Sequence, residues 1–511
     1  VSQLFAVKPL HQLTSDDPHG GPRLARSLGP VQLISLGIGA IIGAGIFSTV
    51  GSAAAGGANH LGAGPALILS FVLTAVACGF AALCYAEFAS MVPVAGSAYT
   101  YSYATLGELV AWIIGWDLII EYAIGNVAVA ISWSGYFQEL LRGFGLTWPV
   151  WLGTDYRTAY RALAEYQAAG GATADLAPNI IRNAEAVLNA PHIAGIPLLF
   201  NLPAFLSVMG ITWVLVRGVR ESAGFNTAMV VLKLAIIAFF LGVGVFYVKP
   251  ENWTPFAPNG FAGISSAAAI IFFAYIGFDA VSTAAEETID PQRNMPIGMI
   301  GSLVICTVIY MAVAIVLTGL TPWTQLGTAE PLATAFSTLG MHWVAGIISL
   351  GAVFATTSVL IVFQMGQPRI FFSMARDGLL PQWAAKVHPK YQTPHVTTIL
   401  TGVFVGLLAG LANIDEIVEL TNIGTLFAFV LVAVGILVLR HTNPDAPRPF
   451  RAPLVPLVPV LAILSCGYLM AQLPWQTWER FFIWLALGLL VYFAYGYRHS
   501  KLRAQNEGRR A

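Results

Sequence analysis

Apolar residues fill long blocks of the chain, and polar residues gather in the segments between them. The blocks cover 31–52, 65–90, 107–139, 196–216, 224–247, 262–287, 297–320, 342–372, 396–413, 417–440, 453–472 and 479–498. Each is near the ~20 residues that a helix needs to cross a bilayer. The pattern predicts an all-α polytopic membrane protein with about twelve transmembrane helices. One connecting segment, about 140–195, is long; its mixed-charge, Ala-rich sequence predicts a small extracellular helical cap. The stretch 90–107 sets Tyr99, Tyr101 and Tyr103 among small residues, and reads as an interfacial cytoplasmic helix with an aromatic belt. The first apolar block is followed by many more, so it reads as a retained helix and not a cleaved signal.

Positive charge sorts between alternate connections. One side holds Lys8, Arg23, Arg26, Arg217, Arg220, Arg293, Arg369, Arg376, Lys386, Lys390, Arg440, Arg448, Arg451 and the C-terminal basic residues through Arg509 and Arg510. The other holds only Arg142, Arg157, Arg161, Arg182, Lys249 and Arg480. Lys and Arg collect on the cytoplasmic side, so both termini are expected inside, in a multi-pass protein of the cell membrane.

Two blocks are interrupted. Gly37, Gly39, Gly43 and Gly45 punctuate the first, where interior glycine costs up to ~1 kcal/mol relative to alanine. Such a stretch reads either as a close-packing helix surface or as a broken helix. A break near Gly43 would aim the free N–H groups of the second half at a cavity, a site for a carboxylate. The sixth block carries Phe273-Ala274-Tyr275-Ile276-Gly277, followed by Asp279 as an expected N-cap for a helix running to Glu286 and Glu287. Gly277 follows Gly45 by 232 residues, close to the offset between the starts of the two blocks. Breaks at corresponding positions in two five-helix halves point to a transporter with inverted repeats and a site where the breaks meet. The expected organisation is a cytoplasmic tail over 1–30, repeats over 31–248 and 262–440, two further helices over 453–498, and a tail over 499–511.

Charges inside the blocks sharpen this reading. Lys233 lies about nine residues into the fifth block, roughly 13 Å along the helix axis, where a lysine costs at least ~2.5 kcal/mol on insertion scales. It is expected to donate to opened carbonyls of the first block, as a proton-coupling group or a permanent substitute for a metal ion. Asp117 and Glu121 are four apart and share a helical face. Glu121 is a candidate to face the substrate side chain, to shuttle a proton, or to be hydrogen-bonded within the bundle. Glu286, Glu287, Asp290 and Arg293 are candidates for a cytoplasmic gate or a solvated helix end.

Composition excludes other classes. The chain is 57% hydrophobic and 10% charged, against about 25% charged in soluble domains, and its mean hydropathy is +0.73. A net charge of zero leaves no footprint for nucleic acid. Cys78, Cys84, Cys306 and Cys466 lie in apolar blocks without CxxC spacing. The nine histidines show no metal-like pairing, and no HExxH, GxSxG or P-loop pattern occurs. No enzyme, cofactor, metal or ATP-driven pump is expected.

The stretches Gly39–Phe47, Gly115-Trp116-Asp117-Leu118-Ile119-Ile120-Glu121-Tyr122, Phe272–Asp279 and Arg376-Asp377-Gly378 resemble the amino acid–polyamine–organocation superfamily, in particular its bacterial-type cationic amino acid transporter branch. The resemblance covers about 28–500. It implies the five-plus-five inverted-repeat fold named after the leucine transporter, with two extra C-terminal helices. It also implies that backbone at Ile41, Gly43, Ala44 and Gly45 holds a substrate carboxylate, and that carbonyls at Phe273, Ala274 and Ile276 hold the α-amino group. Lys233 would take the place of a sodium site and serve proton coupling, and Glu121 would lie near the substrate. Ala44 lacks the hydroxyl that relatives often carry there, which leaves backbone contacts at that position.

The resulting expectation is an L-amino acid permease driven by protons and working by alternating access in a lipid bilayer, without an obligate protein partner. A sodium-coupled symporter, an exchanger and a transport-dead sensor of the same fold are the alternatives. No cysteine in the expected outside loops offers a link to a partner glycoprotein.

Overall fold

The computed structural model describes residues 4–8, 28–57, 59–91, 97–169, 176, 178–218, 223–391 and 393–508. Arg23, Arg26, Arg220, Arg509 and Arg510, counted in the charge asymmetry, lie outside the described residues.

The first apolar block forms α1 (Pro30–Ile41) and α2 (Gly45–Ala55), whose axes bend by 44°. Pro30 starts α1 at the position that tolerates a missing N–H, and Gln32 accepts from Gly29 N at 3.1 Å. α3 (Gly64–Met91), α4 (Ser97–Thr105) and α5 (Glu108–Gly143) follow. The insertion contributes α6 (Tyr156–Ala168), α7 (Pro178–Asn189) and a hairpin of β1 (His192–Ile193) and β2 (Ile196–Pro197). Asp155 caps α6 by accepting from Thr158 N at 2.9 Å, and Asn201 caps α8 (Leu202–Arg217) through Ala204 N. Then come α9 (Ala223–Gly244), α10 (Gly260–Ile271), α11 (Pro291–Leu320), α12 (Pro331–Thr338) and α13 (His342–Arg376). α14 (His395–Leu411), α15 (Ile414–Thr442), α16 (Leu457–Ala471), α17 (Trp475–Val491) and α18 (Lys501–Gly508) complete the chain. Asn413 caps α15, and Asp415 and Glu416 in its first turn with Arg440 and His441 in its last complement the helix dipole.

Among the described residues, eight helices are long and apolar enough to cross a membrane, or nine if the bent pair α1–α2 is one span. The apolar helices α8, α14 and α16 are shorter. α11 packs against α1 and α3, α5 lies along α13, and α15 is flanked by α16. Val231, Val308, Leu400 and Ile483 are left on the outside, as expected of surface that meets lipid rather than water.

The tyrosines of α4 correct one expectation. Tyr99, Tyr101 and Tyr103 are buried instead of forming an interfacial belt. Tyr99 Oη donates to Asp377 (2.8 Å), Tyr103 Oη donates to Glu108 (3.1 Å), and the Tyr101 ring stacks on Phe88. The hydroxyls thus satisfy inward-facing carboxylates, which draws α4 into the protein. Positions 92–96 of that stretch lie outside the described residues.

Both described ends of the chain meet on this face. Lys8 pairs with Asp377 at 3.3 Å, Lys501 N donates to Asp377 O, and Glu108 accepts from Arg503 Nε at 3.0 Å, from Tyr492 and from Ser500. The insertion is tied down elsewhere. Asn413 Nδ2 donates to Thr158 Oγ1, Arg157 pairs with Glu416, and Arg182 pairs with Glu330 at 3.5 Å.

Candidate functional site

α1 stops at Ile41 because Ile42 adopts an extended conformation (φ −75°, ψ 99°). α2 resumes with a wide π turn over Gly45–Thr49. Between them the N–H groups of Gly43, Ala44 and Gly45 have no backbone acceptor among the described residues. Carbonyls freed at the end of α1 are met by side chains from other helices. Lys233 Nζ, on α9 and fully buried, donates to Gly39 O at 2.6 Å. Tyr310 Oη of α11 donates to Ile41 O at 3.0 Å. Tyr136 of α5 donates to Phe47 O further along.

The sixth block opens beside it. α10 gives way to a 3₁₀ turn over Phe272–Tyr275, Ile276 is extended, and Gly277 has φ +119°. The chain then continues as a 3₁₀ segment over Asp279–Glu287, not the α-helix expected there. Asn422 Nδ2 of α15 satisfies the last carbonyls of α10, at Ala269 O (2.7 Å) and Ile270 O (3.0 Å).

The two openings touch. A Cβ on Gly45 would lie 2.2 Å from Ala274 Cα, and one on Gly277 would lie 2.9 Å from the Ala40 carbonyl carbon and oxygen. Glycine at Gly45 is therefore required by backbone approach, and at Gly277 by both approach and its left-handed φ. Of the candidate residues Gly45 meets Ala274 directly, and Ile41, Gly43, Ala44, Phe273 and Ile276 are buried along the same two stretches. The juxtaposition sets the start of α2 at Gly45 against Ala274 of the 3₁₀ turn, and Gly277 against Ala40 of α1.

Glu121 also lies here, on a π turn of α5 (Ile120–Ile124), a local widening that is frequent at functional sites. Its carboxyl group interacts with those of Asp279 and Asp117. Asp117 is fully buried, and neither of its oxygens has a hydrogen-bond partner among the described residues. Asp279 is not the N-cap: Phe278 holds that position, because the turn at Gly277 brings the chain round one residue earlier. Glu287 contributes its backbone, with Glu287 O accepting from Leu28 N at 3.0 Å where the N-terminal segment crosses. The side chain of Glu286 lies outside the described residues.

A cavity of about 290 Å³ opens on the insertion side, with Ser48, Thr49, Arg142, Asp155, Glu330 and Asp415 among its walls. Thr49 Oγ1 donates to Gly45 O at 2.7 Å, so the cavity floor reaches within a turn of the first opening. No cluster of three metal-ligating side chains occurs among the described residues.

Tyr310, Tyr136 and Asn422 were not candidates from sequence. The available signal was a polar group in the middle of an apolar block, the reasoning applied to Lys233. Tyrosine dilutes that signal, because its ring is at home in a core.

The amino acid permease family model matches residues 28–492. The chain belongs to this family of transporters. This permease is 48% identical over 484 residues to the branched-chain amino acid permease of Bacillus subtilis, covering 94% of this chain and 96% of that one. Against the methylthioribose transporter of the same organism it is 45% identical over 503 residues, 98% and 100% of the two chains. It is 36% identical to the vacuolar cationic amino acid transporter 4 of Arabidopsis thaliana over 86% of its own length and 67% of that protein's. The permease is accordingly a polytopic membrane transporter and not an enzyme.

Proposed function

We propose that this permease carries L-amino acids by alternating access, coupled to protons, with substrate held between the openings at Gly43–Gly45 and Phe273–Ile276. The observation that carries the reading is the contact of the two openings. Free N–H groups of Gly43, Ala44 and Gly45 suit a carboxylate at a helix N-terminus, and the carbonyls of the 3₁₀ turn suit an ammonium. Lys233 on Gly39 O stands where a bound cation would otherwise neutralise opened carbonyls, which supports proton over sodium coupling. Glu121 and Phe273 are assigned to reading the side chain, and Asp279, Glu286 and Glu287 to the cytoplasmic closure.

Adding α8, α14 and α16 to the nine longer spans gives about twelve crossings, in two inverted repeats with two further helices. The Lys and Arg distribution supports both termini in the cytoplasm and the insertion outside. A small apolar side chain is the favoured substrate, because buried aliphatic residues surround the openings and the 48% identical relative is a branched-chain amino acid permease.

The 45% identity to a methylthioribose transporter favours a second reading, a thiosugar as cargo. That ligand lacks both carboxylate and ammonium, so it would leave the backbone donors of Gly43–Gly45 without an anion. A thermal-shift screen separates the two: leucine, isoleucine or valine should stabilise the protein, since a ligand stabilises the state it binds. Stabilisation by methylthioribose and by none of the amino acids would reverse the assignment.

A further inference from the structure

Away from Lys233, a second set of ionisable groups lies buried near the insertion-side cavity. His60 sits in the tight turn between α2 and α3, where Gly56 and Leu61 form an isolated bridge and Gly57 N donates to His60 O. Its ring is buried, with Nδ1 3.8 Å from Glu419 Oε1 on α15 and Nε2 3.3 Å from Ser52 Oγ on α2. Ser52 Oγ donates to Asp415 Oδ1 at 2.6 Å, and Ser52 and Asp415 both line the cavity. Thr477 Oγ1 of α17 donates to Glu419 Oε2 at 2.8 Å, so the remaining carboxylate oxygen faces the imidazole. His60 Nδ1 has no hydrogen-bond partner among the described residues. Asp415, Ser52, His60 and Glu419 thus run from the cavity wall to a carboxyl group in the interior.

We propose that His60 and Glu419 form a proton-binding site loaded from the insertion-side cavity, and that its occupancy clamps the α2–α3 turn to α15. A proton arriving at Asp415 passes to Ser52 Oγ as Ser52 releases its own proton to His60 Nε2. His60 then carries protons on both nitrogens, and Nδ1–H faces the Glu419 carboxylate as a charge-assisted partner. One proton enters: the O–H bonds of protonated Asp415 and of Ser52 break, a new Ser52 O–H and the His60 Nε2–H form, and no bond between heavy atoms changes. Histidine suits the task because its charge changes in the physiological pH range. The other charged groups around the pair are Asp415 on α15, Arg480 on α17 and Arg157 on α6; both arginines are engaged by Glu416.

The clamp has leverage on both openings. α2 begins at Gly45, and the His60 turn also docks on α10, with Ser266 Oγ accepting from Leu61 N at 3.2 Å and Asn259 Nδ2 donating to Gly62 O at 2.8 Å. On α15, Glu419 and Asn422 are three apart and share a face, and Asn422 holds the end of α10. A proton on the pair therefore draws together the outer half of the first broken span and the helix that supports the second.

The site's proton binding is independent of the transport reading; its effect on uptake rests on it. Infrared difference spectra of full-length protein carrying isotope-labelled histidine, compared with H60Q, isolate the His60 ionisation without any transport. The expected result is a His60 imidazolium signal that appears on acidification and that E419Q weakens by about tenfold in proton affinity. A His60 signal that does not titrate, or that E419Q leaves in place, overturns the site. In proteoliposomes, H60Q should remove a dependence of leucine uptake on outside pH while the dependence on inside pH persists. If His60 titrates as expected but uptake by H60Q follows outside pH unchanged, the clamp is overturned although the permease reading stands.

Discussion

Lys233 Nζ donates a 2.6 Å hydrogen bond to the Gly39 carbonyl, and no water-facing surface remains on that lysine. The bond joins α9 to the last turn of α1, two residues before the helix opens. It places a lysine side chain where unwinding exposes carbonyl oxygens. Replacing it removes a hydrogen bond to buried backbone.

Lys233→Ala should abolish uphill amino acid uptake driven by a pH gradient, with at least a tenfold loss in initial rate. Lys233→Arg should not restore it, because a planar guanidinium does not match the single point contact with Gly39 O. Radiolabelled uptake into proteoliposomes checks both; normal gradient-driven uptake by either variant removes the assigned role.

Gly45→Ala adds a Cβ 2.2 Å from Ala274 Cα, so one of the two openings must shift. Overpacking of this kind costs about 1–3 kcal/mol. If the openings form the substrate site, the variant should lose at least tenfold in ligand affinity, about 1.4 kcal/mol. The ligand-induced rise in melting temperature reads this directly.

Asn422→Leu removes the side-chain donor of the Ala269 and Ile270 carbonyls, while the Phe272 N–H still reaches Ile270 O. Each lost hydrogen bond costs about 0.5–1.5 kcal/mol, so the apo protein should melt earlier. Tyr310→Phe, which removes one donor from Ile41 O, should cost less, about 1 kcal/mol. Thermal melts of the purified variants rank the two, and equal melts would argue that solvent replaces the donors.

Glu108 is fully buried and accepts from Arg503, Tyr103 and Tyr492. Arg503→Ala leaves that carboxylate without its cation and should cost about 3–5 kcal/mol. A double replacement, Glu108→Gln with Arg503→Met, should recover much of the loss. Melting curves test this; additive losses would show that the pair does not act as a unit.

Much of this architecture was legible because a bilayer permits few solutions. The apolar blocks marked where helices lie, Gly43 falls at the bend between α1 and α2, and Gly277 at a positive φ after α10. Lys233 stood out because charge in an apolar block demands a reason. Asp279 was misplaced by one residue, since a positive φ at Gly277 is a conformational fact that sequence spacing does not carry. Tyr99 and Tyr103 were sent to the interface because their true partners, Asp377 and Glu108, are distant in sequence or lie on another helix. The Asn422 contact with α10 spans 152 or more residues, and no local pattern announces such a pairing.

The most direct test of the central claim is leucine uptake into proteoliposomes, measured with an inward pH gradient, with an inward sodium gradient, and with neither. Proton-coupled transport predicts accumulation above the outside concentration with the pH gradient alone, and collapse when a protonophore dissipates it. Accumulation that follows the sodium gradient and ignores the proton gradient would contradict the account.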